Sequence, residues 1–200
     1  MSLLQPVRAV SCALAALAAA GVMAIEAAPA VDEVHGVARV AGRPHKDVVV
    51  WLDEVPGLPP AAPGRVVLDQ RNLRFLPHVM AVRVGTRVEM PNNDRVFHNV
   101  FSFKDGKRFD LGLYPVGTSK IVDFDKPGLS RIFCNIHPTM AAYVIAVAST
   151  HIAVSDADGR FVLSDVPPGR YPYHAWRPGV ETMSGTLTVA AGQPVEVGLP

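Results

Sequence analysis

Cys134-Asn135-Ile136-His137-Pro138-Thr139-Met140 is the stretch that decides how this chain is read, together with His98-Asn99 upstream. The two segments offer a thiolate, two imidazoles and a thioether. Soft sulfur with two borderline nitrogens suits copper cycling between Cu(I) and Cu(II), with Met as the weak axial ligand of a blue-copper centre. Three donors on one short loop between strands set most of the geometry, and His98 arrives from a neighbouring strand end. A structural zinc site would want a further Cys, His or carboxylate where Met140 stands. The competing explanation is chance, a buried thiol beside a surface imidazole. Against it stand the offset of Met140, the strand-end context of His98 and a thiol with no disulfide partner.

Working outward from the loop, alternation is the prevailing period. Lys120-Ile-Val-Asp-Phe-Asp125 reads as a half-buried strand, and Pro127-Gly128 reverses the chain into Ser130-Arg-Ile-Phe-Cys134. Tyr143-Val-Ile-Ala-Val147 is a continuous apolar strand. Upstream, Val79–Val84 and Arg87–Met90 flank a Gly85-Thr86 turn, and Val88 and Met90 alternate with charges. Pro91-Asn-Asn-Asp94 is a polar turn cluster before Val96-Phe-His-Asn-Val-Phe101, which puts His98 at the start of a strand. Further out, Val34–Val40 and Val48-Val-Val-Trp-Leu52 read as strands around a Gly42-Arg-Pro44 turn, and Val55–Gly64 is a surface connection. Asp156-Ala-Asp-Gly159 lacks the third acidic position and distal Glu of a calcium loop and reads as a hairpin turn. His35, His45, His78, His151 and His174 show no ligand spacing, and Met80 and Met90 read as core filler.

Residues 1–30 read as a signal peptide. Arg8 is the only charge before an apolar run from Ala9 to Ile25, about 17 residues and short for a membrane span. Ala28-Pro29-Ala30 resembles a signal-peptidase site. A cut after Ala24 and an uncleaved anchor are the alternatives. Export to the periplasm, with no membrane span after cleavage, is the expectation. Cleavage removes Cys12 and leaves Cys134 as the sole cysteine. In an oxidising compartment an unpaired thiol is a liability unless something ligates it. The leader carries one base, Arg8, and one acid, Glu26, so the net charge of +1 is unchanged by its loss. Nothing resembles a basic stripe, and no nucleic-acid partner is expected.

Phe75 to Val147 resembles the plastocyanin/azurin family of cupredoxins. The likeness is carried by Gly85-Thr86, Pro91-Asn-Asn-Asp94, His98-Asn99-Val100-Phe101 and the Cys-x-x-His-x-x-Met loop, whose shortness looks most like amicyanin. The resemblance implies one type 1 copper ion with His98, Cys134 and His137 as equatorial ligands and Met140 axial. It also implies that Asn99 ties the two ligand segments together, and that His137 presents its outer edge between Pro138 and Thr139. By the same resemblance the partner is a periplasmic redox protein, a dehydrogenase or cytochrome, as in methylamine utilisation.

The flanks carry a second likeness. Gly36–Pro44, Val48–Leu52, Asp156–Phe161, Val166–Tyr171 and Trp176 resemble the carboxypeptidase-regulatory-like, transthyretin-type sandwich. The expected fold is all-β: a Greek-key cupredoxin β-sandwich combined with a small transthyretin-like β-sandwich. The expected division is residues 31–60 plus 149–200 for the flanking domain and 61–148 for the cupredoxin domain. The alternative is an N-terminal extension plus a separate C-terminal module. Pieces of roughly 25 or 50 residues are marginal for independent cores.

The expected function is one-electron transfer, and no enzymatic activity is expected. No Ser-His-Asp order, Gly-rich phosphate loop or carboxylate pair stands out, and haem attachment would need Cys-x-x-Cys-His. Two other functions compete: a Cu(I) carrier or storage module using the same ligands, and an extracellular interaction protein working through its flanks.

Overall fold

The structure, a computed structural model, describes residues 32–57 and 62–200. The leader expected over residues 1–30 lies outside them. The first flank forms β1 (Asp32–Val40), β2 (Arg43–Pro44) and β3 (Val49–Leu52). The middle of the chain forms β4 (Arg65–Val67), β5 (Asp69–Arg71), β6 (Arg74–Leu76), β7 (Val79–Arg83), β8 (Thr86–Pro91), β9 (His98–Ser102), β10 (Phe109–Tyr114), β11 (Ser119–Phe124), β12 (Gly128–Phe133) and β13 (Ala141–Val147). The last flank forms β14 (Ile152–Val154), β15 (Arg160–Val166), β16 (Gly169–Trp176), β17 (Met183–Val189) and β18 (Val195–Leu199). The fold is all-β, and no helix among the described residues is long and apolar enough to cross a membrane.

The middle strands make two facing sheets, β10-β9-β12-β13-β7 and β11-β8-β4. Strand β8 shows why they face each other. Thr86, Val88 and Met90 are buried while Arg87 points outward, the period-2 pattern of a sheet with one covered face. Its partner β11 pairs in register, Val122 opposite Val88. Leu68, Phe75, Phe124, Ile132 and Val144 close the core between the sheets, with Met80 and Met90 as filler.

The flanks form a second pair of sheets, β15-β1-β18 with β2 on β1, and β14-β3-β16-β17. Strand β1 pairs antiparallel with β15 and parallel with β18, and β3 lies between β14 and β16. Segments on either side of the middle sandwich therefore share both sheets, and each supplies hydrogen-bond partners that the other's strand edges would lack. Val34, Leu52, Phe161, Leu163 and Val197 are among the side chains filling this core. Gly36 is required there, because a Cβ would meet the Phe161 ring at 2.2 Å.

One turn differs from expectation. Asp156–Gly159 is not a hairpin: it joins β14 in one flanking sheet to β15 in the other. Asp156 Oδ1 accepts the N–H groups of Asp158 and Arg160, and Gly159 adopts φ +75° with backbone atoms of Ala38 and His45 2.8 Å from where a Cβ would sit. Local turn chemistry is the same in both cases, and long-range pairing with β3 and β1 decides which sheet each strand joins.

The two sandwiches meet along Val49, Val79, Ile145, Val147 and Trp176. This explains the continuous apolar strands. In β3, Val50 and Leu52 face the flanking core while Val49 and Trp51 face the junction. In β13, Val144 and Ala146 face the middle core while Ile145 and Val147 face the junction. A strand covered on both faces loses its alternation.

Candidate metal centre

His98 opens β9, and Cys134 follows the last residue of β12, with Phe133 paired to Phe101 across the two strands. The sheet thus brings the two donor segments to the same end. The loop after Cys134 closes on itself, since Met140 N–H donates to His137 O at 2.9 Å and Cys134 N–H to Met140 O at 3.4 Å. Two hydrogen bonds in seven residues hold the loop before it re-enters the sheet as β13.

Three donor atoms converge there. His98 Nδ1 lies 3.0 Å from His137 Nδ1, and Cys134 Sγ lies 3.9 Å from the first and 3.6 Å from the second. A first-row ion bonded at roughly 2.0 Å to nitrogen and 2.3 Å to sulfur holds such donors about 3 to 4 Å apart. The donor set and its spacing fit a metal ion. His98 and Cys134 are buried and His137 is half-buried. Met140 is buried in the same apolar cluster as Cys134.

Side chains around these residues are linked by hydrogen bonds, although Gln70 Oε1 is buried without a partner. Asn99 Oδ1 accepts Asn135 N–H at 3.4 Å, and Asn99 Nδ2 donates to Asp110 Oδ1 at 2.9 Å. Asn99 therefore links β9 to the Cys134 loop. Asp94, read in sequence only as part of a polar turn, faces His98 Nε2 at 3.0 Å through Oδ2. Burial alone would push the Asp94 carboxyl up, but the N–H groups of Leu73 and Arg95 and then His98 outweigh it and bring it down to about 2. Below the site, Tyr114 is buried with its hydroxyl donating to Met90 O at 2.9 Å. Burial pushes its phenol up to about 12; Gln70, donating to its oxygen, opposes this and charge on Cys134 adds to it.

Sequence reasoning missed Asp94 because nothing in its spacing marks it. A turn of four residues brings it back over His98, and such a return is set by the turn's own hydrogen bonds. Asn92 makes these, with Oδ1 accepting Asp94 N–H and Nδ2 donating to Val96 O and Tyr114 O. It also missed a line of polar groups on the flanking sandwich. His174 Nε2 lies 2.7 Å from Asp53 Oδ2, Ser184 Oγ 2.7 Å from His174 Nδ1, and Trp51 stacks on His174. His174 is directly opposite Ser184 on β17 and Trp51 on β3, so cross-strand pairing accounts for this line.

The carboxypeptidase regulatory-like domain family matches residues 137–199. Among solved structures, a purple cupredoxin from Nitrosopumilus maritimus is 23% identical over 42% of this chain and 99% of its own, with a TM-score of 0.37. A reduced mutant form of amicyanin is 20% identical over 40% of this chain and 80% of its own, TM-score 0.38. The chain is similar to cupredoxins over about two fifths of its length and to the carboxypeptidase regulatory-like domain over residues 137–199. A copper-containing nitrite reductase from Thermus scotoductus SA-01 is 24% identical over 47% of this chain but only 24% of its own, TM-score 0.40. No curated protein matches the chain. The regulatory-like match begins at His137, inside the donor loop, whereas β13 hydrogen-bonds to β12 and β7 in the middle sandwich.

Proposed function

We propose that this protein is a type 1 copper protein that carries single electrons in the periplasm. One copper ion would be held by His98 Nδ1, His137 Nδ1 and Cys134 Sγ, with Met140 as the weak axial ligand. The observation that carries the reading is the convergence of three lone-pair donors within 4.8 Å of one another at a largely buried site. Lone pairs turned toward one another repel, and a cation between them resolves the conflict. A soft thiolate with two imidazoles and a thioether favours copper among first-row ions. Bound copper would supply a one-electron Cu(I)/Cu(II) couple.

The chain's own part is to hold the donors still and dry. His98 and Cys134 sit at strand ends, the loop bonds fix His137, and Asn99 joins the two segments, so little rearrangement accompanies a change of charge. Phe97 and Ile136, each next to a donor histidine, are exposed at 52% and 49%. They give the half-buried His137 an apolar setting through which electrons would pass to a dehydrogenase or cytochrome. Burial of His98 and Cys134 favours this over a rapidly exchanging Cu(I) carrier. We assign residues 1–30 to an export signal, 31–60 plus 149–200 to the flanking domain and 61–148 to the copper domain, and no catalytic activity beyond electron transfer.

The visible spectrum tests the reading. Protein loaded with one equivalent of Cu(II) should show an intense visible band from thiolate-to-copper charge transfer, and Cys134→Ser should abolish it. A wild-type protein with no strong visible absorption after stoichiometric loading would overturn the proposal.

A further inference from the structure

His98 has two ring nitrogens and the fold uses both. Nδ1 faces His137 and Cys134, while Nε2 faces the carboxylate of Asp94 at 3.0 Å. A carboxylate only accepts, so Nε2 carries the proton and Nδ1 is left with its lone pair toward the other donors. Which nitrogen of a ligating histidine is free is set by the partner of the other one. His98 is fully buried and the Asp94 side chain is 8% exposed, so water does not compete for this contact.

Asp94 is itself clamped. Its Oδ1 accepts Arg95 N–H at 2.8 Å, and Oδ2 accepts Leu73 N–H at 2.7 Å as well as facing His98. Leu73 stands with Asn72 at the tip between β5 and β6, and both have left-handed backbones, φ +57° and +53°. A left-handed leucine costs roughly 1–2 kcal/mol, and glycine is the usual occupant of such a turn position. The hairpin tip thus holds a costly conformation in which its N–H meets Asp94. Beside it, Asn93 Nδ2 donates to Asp69 Oδ1 at 2.8 Å and Asn93 N–H to Gln70 O at 3.0 Å, binding the hairpin to the same turn.

We propose that Asp94 is a positioning residue that keeps the proton of His98 on Nε2, aims Nδ1 at the metal, and favours the oxidised state through its negative charge. This rests on the copper reading for its redox part and on the His98–Asp94 contact alone for its proton part. Partners of this kind orient ligands and raise their basicity, and their loss typically costs about 10–100-fold in metal affinity. A more basic donor with a fixed negative charge behind it stabilises Cu(II) over Cu(I).

Two variants and two readouts test it. Asp94→Asn keeps an acceptor oxygen for Nε2–H and removes the charge; it should retain copper and its visible band while the reduction potential rises. Asp94→Ala removes the acceptor and should bind copper about 10–100-fold more weakly. Nitrogen NMR of the metal-free, imidazole-labelled full-length chain should show His98 as the Nε2–H tautomer in wild type and as a mixture in Asp94→Ala. An unchanged or lower potential in Asp94→Asn overturns the redox role. An Nδ1–H tautomer in wild type, or an unchanged tautomer in Asp94→Ala, overturns the positioning role. Failure of wild type to give a visible band would instead overturn the copper reading, and the tautomer measurement on the metal-free chain would still decide the role of Asp94. Should Asp94→Ala not fold, the reduction potential of Asp94→Asn decides the redox role, since a purely structural acceptor would leave it at the wild-type value, and the wild-type tautomer decides the positioning role.

Discussion

The middle sandwich buries His98, Asn99, Asn92 and Gln70 near one end of its sheets, while Ser155 is the buried polar residue of the flanking sandwich among the described residues. Ser155 is fully occupied by backbone: its Oγ accepts Val48 N–H at 2.9 Å and donates to His45 O at 2.8 Å. It knits the start of β3 to the end of β14 and has nothing left over. His98 meets Asp94 through Nε2, and its Nδ1 faces His137 Nδ1 and Cys134 Sγ, two further potential metal-ligating atoms. Burying polar groups is costly unless they are paired, and three potential ligand atoms turned toward one another at the end of a well-packed sandwich suit a cation between them. Cores made alike from alternating strands thus differ in what they leave unfinished.

The sharpest way to break this comparison is to damage the flanking core and watch the site. Phe161→Ala empties the ring that packs against Gly36 and should cost about 3–5 kcal/mol in chemical denaturation, while folded, copper-loaded protein keeps its visible band. A band that disappears in the folded variant would show that the donor geometry depends on the flanking sandwich.

Acid addresses the site end. Asp94 is held near pKa 2 in the folded protein, below the ordinary value of about 3.9 for an unfolded aspartate. Its folded pKa is depressed, so it stabilises the fold above about pH 4 and that contribution is lost as pH falls toward 2. About 2 kcal/mol should disappear from the metal-free protein in this window. Unfolding measured across it should show a shallower slope for Asp94→Asn; identical slopes would refute the assignment.

Met140→Leu conserves volume in a buried position and should change stability by less than about 1.5 kcal/mol. The copper-loaded variant should retain metal with a raised reduction potential, because an alkyl group stabilises Cu(II) less than a thioether does. A lower potential, or loss of copper, would remove Met140 from the ligand set.

The smallest expected effect is at the β5–β6 tip. Leu73→Gly keeps the N–H that Asp94 accepts and relieves a left-handed backbone, so it should raise stability by up to about 1 kcal/mol and leave the potential unchanged. Destabilisation in thermal unfolding would mean that the exposed Leu73 side chain makes a contact that outweighs its backbone strain.

Much of the fold was legible where a strand has one wet face. Thr86–Pro91, Ser119–Phe124 and Val79–Arg83 announce themselves by alternation or by a turn beside them. Arg65–Val67, Asp69–Arg71 and Phe109–Tyr114 did not. The first two are three residues long, and Phe109–Tyr114 is an edge strand with an irregular register around Gly112. Such strands owe their state to the neighbour that hydrogen-bonds them, which local composition does not record.

At the site, the thiolate, imidazole and thioether chemistry offered by Cys134, His98, His137 and Met140 was readable because ligand softness is a property of the side chain alone, and the structure brings donor atoms of His98, Cys134 and His137 together. Asp94 over His98, Asp110 on Asn99 and the line of Asp53, His174 and Ser184 were not readable, because each needs a turn or a register that only distant pairing settles. The same holds for β3 and β13, whose unbroken apolar runs allowed a buried strand but could not say what covered each face. By itself the sequence determined which atoms can act as donors and which segments are strands. The tertiary structure decided that the two flanks share sheets, which strands are buried twice, and which carboxylate stands behind the buried histidine, because those depend on contacts between residues far apart along the chain.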